Sequence, residues 1–137
     1  MIQLADRSLL RWAIVGDAVV LTVITILGFA THHTLDAYWR MSITVLVTLI
    51  AWAIVAPWFD AFSTTTLTQP SSVWKILLAT IVATPLAAFL RGWSLGIEVS
   101  STFILTGIAF NGLVMVIWRA ALAASAARAS KQRTAHS

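Results

Sequence analysis

No cysteine occurs in the 137 residues, which excludes disulfides and thiolate-ligated metals. Charge is also scarce. Charged residues make up 10% of the chain, against about 25% in an ordinary soluble domain, too few to cover a water-facing globule. A phosphate-cradling glycine loop, a nucleophile elbow and an HExxH pair are missing as well. No enzymatic activity and no cofactor are therefore expected. Strict alternation of apolar residues is absent too, and four segments cannot close a barrel, so strands are excluded as membrane spans.

Apolar residues, at 59%, fill the space that charge leaves. They gather into four stretches, at about 12–32, 41–62, 73–93 and 101–119. Each approaches or exceeds the roughly 18-residue threshold for a spanning helix. The fold class expected is all-α: an integral membrane bundle of four transmembrane helices. Residues 1–10, with Asp6 and Arg7, form a polar start. The links "HTLDAYWR" and "SLGIEVS" are short. "STTTLTQPSS", residues 63–72, is rich in Ser, Thr and Pro, lacks an apolar period and reads as a loop. Residues 1–122 form the transmembrane domain. Residues 123–137 form a basic, Ala-rich tail expected to extend the last helix by a turn or two and then fray.

Six of the seven tryptophans (12, 39, 58, 74, 93 and 118) fall at or near predicted span ends, where indoles favour the headgroup level. Only Trp52 lies inside a span. Seven of the nine Lys and Arg residues (Arg7, Arg11, Lys75, Arg119, Arg128, Lys131 and Arg133) collect on one side, and Arg40 and Arg91 on the other. The positive-inside rule then predicts both termini in the cytoplasm and a multi-pass protein of the inner (plasma) membrane. The net charge of +4 is topology-setting charge at helix ends and in the tail, so no nucleic-acid partner is expected. The first span is too long for a cleaved signal, and its exit, "GFATHH", is a poor cleavage site.

Asp17 is the anomaly. It lies about five residues inside the first span, roughly 7–8 Å deep, where a carboxylate needs a reason. Helical spacing places Asp17, Leu21, Ile24, Gly28 and Thr31 on one face, the face expected to turn to the bundle. The expected partner is Arg119, at the cytoplasmic end of the fourth span, as a bidentate pair. That pair is either structural or part of a proton-cycling site. Asn111 sits at the depth of Pro85, and its amide is expected to reach the Ile81 carbonyl that the proline frees. It is either glue between helices or part of a midplane site. Pro57 and Pro85 are expected to interrupt their helices. Ala79, Ala83 and Ala87 form a small-residue ladder for close helix approach, within one protomer or in a dimer. On the outer side His32, His33, Asp36, Arg40, Arg91 and Glu98 gather near the links. Metal ligation is not expected there, and an Arg91 bridge to Glu98 or Asp36 is.

With these residues set out, a resemblance emerges. "GD" (Gly16, Asp17), Gly28 with His32, "APWF" (56–59), Thr84–Pro85, "LRG" (90–92), Phe103 and "WR" (Trp118, Arg119) occur in an order that resembles the small bacterial and archaeal membrane family called domain of unknown function 3054. The resemblance implies a four-helix integral membrane protein with no established activity. It also implies recurrent positions at Asp17, His32, Pro57, Pro85, Arg91 and Arg119. The chain departs from the family pattern at "PWFDAF", which stands in place of a Pro-Phe-then-Gly-Trp ending. Four short helices with an acid in the first also resemble the small multidrug exporters, although the seven-to-two charge bias argues against dual insertion. Two functions follow as expectations. One is a transporter or carrier working as an oligomer with an intramembrane Asp. The other is a non-catalytic scaffold or accessory subunit, in which Asp17 and Arg119 are a structural ion pair. The partners expected are membrane lipid and a second copy or another membrane protein.

Overall fold

A computed structural model describes residues 4–34 and 36–137, with side chains from residue 7 onward. The first three residues of the polar start and the Asp6 side chain lie outside the described residues. Among the described residues five α-helices follow one another: α1 (Leu4–Thr31), α2 (Tyr38–Val55), the short α3 (Thr64–Thr68), α4 (Trp74–Leu95) and α5 (Ser101–Ala135). Two 3-10 turns, Ala56–Phe59 and Pro70–Ser72, flank α3. Four segments are long and apolar enough to cross a membrane: Arg7–Thr31, Tyr38–Phe59, Pro70–Leu95 and Ser101–Ala135. No strand occurs among the described residues.

α4 packs between α2 and α5, while α1 leans on α2 and α5 from the position diagonally opposite α4. Small residues make α4 the centre. Ala79, Ala83 and Ala87 are all buried within the chain. On the facing helix, a Cβ at Gly107 would come 3.0 Å from the Thr84 methyl, and one at Gly112 would come 3.1 Å from Leu77. The large side chains of the outer faces, among them Val19, Val23, Leu105, Leu113 and Ile117, are exposed. In water this would be an aggregation surface; against acyl chains it is the expected exterior.

Helix ends follow capping chemistry rather than the edge of the apolar stretch. α1 stops in a Schellman turn. Thr34 N–H reaches the Phe29 carbonyl at 3.0 Å and His33 N–H reaches Ala30 at 3.1 Å, with His33 in the left-handed conformation at φ 54°. α2 begins at Tyr38, inside the expected link, and ends at Val55, short of the expected 62. Pro57 lies at the start of the 3-10 turn that takes over, since it has no N–H to continue the ladder. A second Schellman-type closure follows at Asp60, φ 54°, where Ala61 N–H bonds the Ala56 carbonyl at 3.1 Å. The left-handed residue here is an aspartate.

Three expectations are corrected. Residues 63–72 are not a bare loop. Ser63 caps α3 by accepting the Thr66 N–H at 3.3 Å, and Thr66, Leu67 and Ser72 are buried against the end of the bundle. Pro85 does not interrupt its helix. α4 runs through it from Trp74 to Leu95, because one lost backbone bond leaves the flanking turns intact. The tail does not fray after a turn or two. α5 continues to Ala135, sixteen residues past Arg119 or about 24 Å at 1.5 Å per residue. Ala is the strongest helix former, and neither Gly nor Pro follows Gly112; nothing in the sequence stops the helix.

The buried ladder gives a test. Ala79→Leu forces a branched side chain into the α4 interface and is expected to destabilise the bundle by about 1–3 kcal/mol, read from thermal unfolding in detergent. An unchanged midpoint would show that this face is not closely packed.

Candidate functional site

Asp17 and Arg119 meet where α1, α2 and α5 converge on the 56–72 segment. Each is 1% exposed. The guanidinium grips the carboxylate with two parallel bonds, Nε to Oδ1 at 2.8 Å and Nη2 to Oδ2 at 2.7 Å, the bidentate geometry that favours Arg over Lys. Two indoles complete the acid's coordination. Trp118 Nε1 donates to Oδ1 and Trp52 Nε1 to Oδ2, both at 3.0 Å. A carboxylate offers about four acceptor positions, and all four are filled. On the far side of the guanidinium, Nη1 donates to the Ala61 carbonyl at 3.0 Å, and the Phe62 ring lies 5.2 Å from Cζ. No buried side-chain nitrogen or oxygen among the described residues lacks a partner.

Local structure explains each placement. Asp17, Leu21 and Ile24 share the buried stripe of α1. The upper part of the expected face, Gly28 and Thr31, does not reach the bundle: Thr31 is exposed and a Cβ at Gly28 would meet nothing within 4 Å. Gly16 lets Trp118 pass over α1, since a Cβ there would sit 2.0 Å from the indole ring. The left-handed Asp60 turns the chain so that the next residue, Ala61, presents its carbonyl to Arg119. Asp60 is itself held by Lys75 at 3.3 Å across the surface.

Sequence reasoning missed Trp52, Trp118, Ala61 and Phe62. Trp118 is half-buried and turned to the acid, not to the headgroups. Trp52 left a signal: an indole N–H away from the interface needs an acceptor, and Asp17 is the strongest acceptor within the first span. Ala61 left none, because a main-chain carbonyl has no sequence signature.

The other candidates are dispersed. Asn111 does not bond the Ile81 carbonyl. Ile81 lies on the exposed side of α4, whereas Asn111 faces a cavity of about 20 Å³ lined with Leu21, Thr48, Trp52, Thr80, Ala83, Thr84 and Ala87. His32 is exposed at the end of α1, beside the left-handed His33. Arg91 lies at the opposite end of the bundle from Arg119. It pairs with neither Glu98 nor Asp36, and the ion pairs among the described residues are those at Asp17 and Asp60. Its Nε donates instead to the Thr44 hydroxyl at 3.0 Å.

The cluster uses the residues of the motifs "GD" and "WR", with "APWF" leading into the Ala61 turn. The sequence profile of a family described as proteins of unknown function, DUF3054, matches residues 14–122. The chain belongs to DUF3054. The matched region opens three residues before Asp17 and closes three after Arg119, so in this DUF3054 member the family region brackets the cluster. The last thirteen residues of α5 lie outside it. No curated protein and no solved structure matches the chain.

Two variants test the packing around the acid. Gly16→Ala is expected to displace Trp118 and cost about 1–3 kcal/mol. Trp52→Phe is expected to cost about 1–3 kcal/mol by stripping one bond from the buried carboxylate. Both are read by thermal unfolding in detergent, with loss of Trp118 fluorescence environment as a second readout for Gly16→Ala. Wild-type stability in both would mean that the indoles are incidental neighbours.

Proposed function

We propose that this DUF3054 protein is a non-catalytic integral membrane protein, a scaffold or accessory subunit, in which Asp17 and Arg119 are a structural clamp. One observation carries this reading: every acceptor position of Asp17 is occupied by a protein donor, and the carboxyl group is closed to solvent. A proton-cycling acid needs a free lone pair and a path to water. A transporting oligomer with Asp17 titrating would have to displace at least one of these donors and open a path to water in each cycle. The cavity beside Trp52 exceeds the ~10–15 Å³ that one water requires and falls far short of a ~300 Å³ ligand pocket. Its size suits a bridging water between Asn111 and its neighbours rather than a cargo.

The charge distribution supports the plasma membrane with both termini in the cytoplasm. Arg128, Lys131 and Arg133 then stand on the α5 extension in the aqueous phase. The partners are lipid around the outer faces and a second copy or another membrane protein.

Single and double variants test the clamp. Asp17→Asn and Arg119→Gln are each expected to cost about 3–5 kcal/mol by stranding a buried charge, and the double variant less than their sum. Exchanging the two charges is not expected to rescue, because an Arg at 17 faces two indole donors and an Asp at 119 faces a carbonyl. Proton flux into liposomes decides between the two functions. Equal flux, or none, from wild type and the Asp17→Asn/Arg119→Gln variant fits the clamp. A wild-type flux that disappears in a folded double variant overturns it.

A further inference from the structure

Arg91 is built into the fold at the end opposite the clamp, yet no carboxylate neutralises it. Three helices hold it. It projects from α4 one turn before that helix ends, its Nε donates to Thr44 of α2 at 3.0 Å, and its guanidinium lies 5.0 Å from the centroid of Phe103 on α5. Thr44 is locked in turn by donating to the Arg40 carbonyl at 2.7 Å. The guanidinium is therefore preorganised, while Nη1 and Nη2 have no protein acceptor among the described residues. Arg40 is joined to Arg91 through Thr44, whose hydroxyl accepts from Arg91 and donates to the Arg40 carbonyl, and its exposed side chain makes no hydrogen bond or ion pair among the described residues.

The position of Arg40 sharpens the anomaly. It occupies the first turn of α2, where the macrodipole is positive and an acidic residue is the favourable choice. No acidic residue is present in that turn, and Ala37 at the N-cap provides no side-chain cap. Two guanidinium groups and an uncapped helix start thus share one end of the bundle. Two cations at one end of an apolar bundle, with no acidic partner among the described residues, make a place for an anion. Trp39 and Trp93, 73% and 85% exposed, flank the site and mark the headgroup level.

We propose that Arg91 and Arg40, at the N-terminal end of α2, form a phosphate-binding site that takes the phosphodiester of a phospholipid headgroup. The free edge of Arg91 bonds two phosphate oxygens as a fork. Arg40 closes over the phosphate from the exposed side, and the acyl chains run down the apolar exterior of the bundle. This site is independent of the clamp and of the function proposed for it.

The test uses the full chain, stripped of lipid in a neutral detergent, with binding followed by thermal unfolding and native mass spectrometry. Phosphatidylglycerol is expected to raise the unfolding midpoint of wild type, and an uncharged glycosyl diacylglycerol is not. Arg91→Gln is expected to weaken phosphatidylglycerol binding by about tenfold or more, the loss that follows removal of charge-assisted hydrogen bonds. Arg91→Lys is expected to rescue only in part, because it keeps the charge and loses the fork. Arg40→Gln, an exposed change that removes no side-chain hydrogen bond or ion pair among the described residues, carries the same test if Arg91→Gln fails to fold. Equal phosphatidylglycerol binding by wild type and Arg40→Gln would overturn the two-arginine site. An Arg91-dependent shift as large with inorganic phosphate as with lipid would overturn the lipid assignment in favour of a soluble anion.

Discussion

A single charged pair in an apolar bundle sets the terms for everything around it. An isolated carboxylate below the membrane surface is costly, and so is an isolated guanidinium. Their fork removes both net charges but leaves lone pairs and N–H groups to satisfy, and a partly satisfied buried network is worse than none. Two indoles fill the remaining acceptor positions of the carboxylate, and one main-chain carbonyl takes the third guanidinium nitrogen. The rest of that end of the bundle is arranged to deliver those three groups. Gly16 admits Trp118, the 3-10 turn and Asp60 aim Ala61, and α3 seals the approach from the aqueous side.

Satisfaction of this kind is directional. Every hydrogen bond to Asp17 is donated and every bond from Arg119 is given, so the cluster specifies one polarity and one register for α1 against α5. Apolar helices in lipid have little hydrophobic reason to prefer one partner over another. A polar cluster that is complete in only one arrangement supplies the discrimination that acyl chains cannot. The small-residue ladder of α4 then lets the other helix pairs approach closely without having to specify them.

Hydropathy, Trp placement and the Lys/Arg count make the four spans legible, and the cost of a buried acid makes the Asp17–Arg119 pair legible across the length of the chain. These signals are strong because lipid penalises exceptions heavily. The turn chemistry was harder to read. Ser63 and the threonines after it looked like a loop by composition, and only the packing of Thr66 and Leu67 against the bundle turns a five-residue helix into a stable one. Ala61 contributes a carbonyl that any residue would carry. Asn111 on α5 and Pro85 on α4 match in depth, but depth does not report that the Ile81 carbonyl freed by the proline lies on the exposed side of α4. The run of alanine after Arg119 reads as tail by solvation and as helix by propensity, and propensity prevailed.

The clamp joins residues 102 positions apart, the first spanning helix to the last, and this separation has a consequence for biogenesis. At about 5–20 residues per second of translation, the ribosome needs about 5–20 s after Asp17 emerges to deliver its counter-ion. Trp52, only 35 residues on, is made in about the first third of that interval, so for the remainder the acid has an indole partner within the chain and the guanidinium is not yet made. Of the four bonds to the carboxylate, one lies within the α1–α2 pair and three require α5, so the cluster is completed by the last segment to be synthesised.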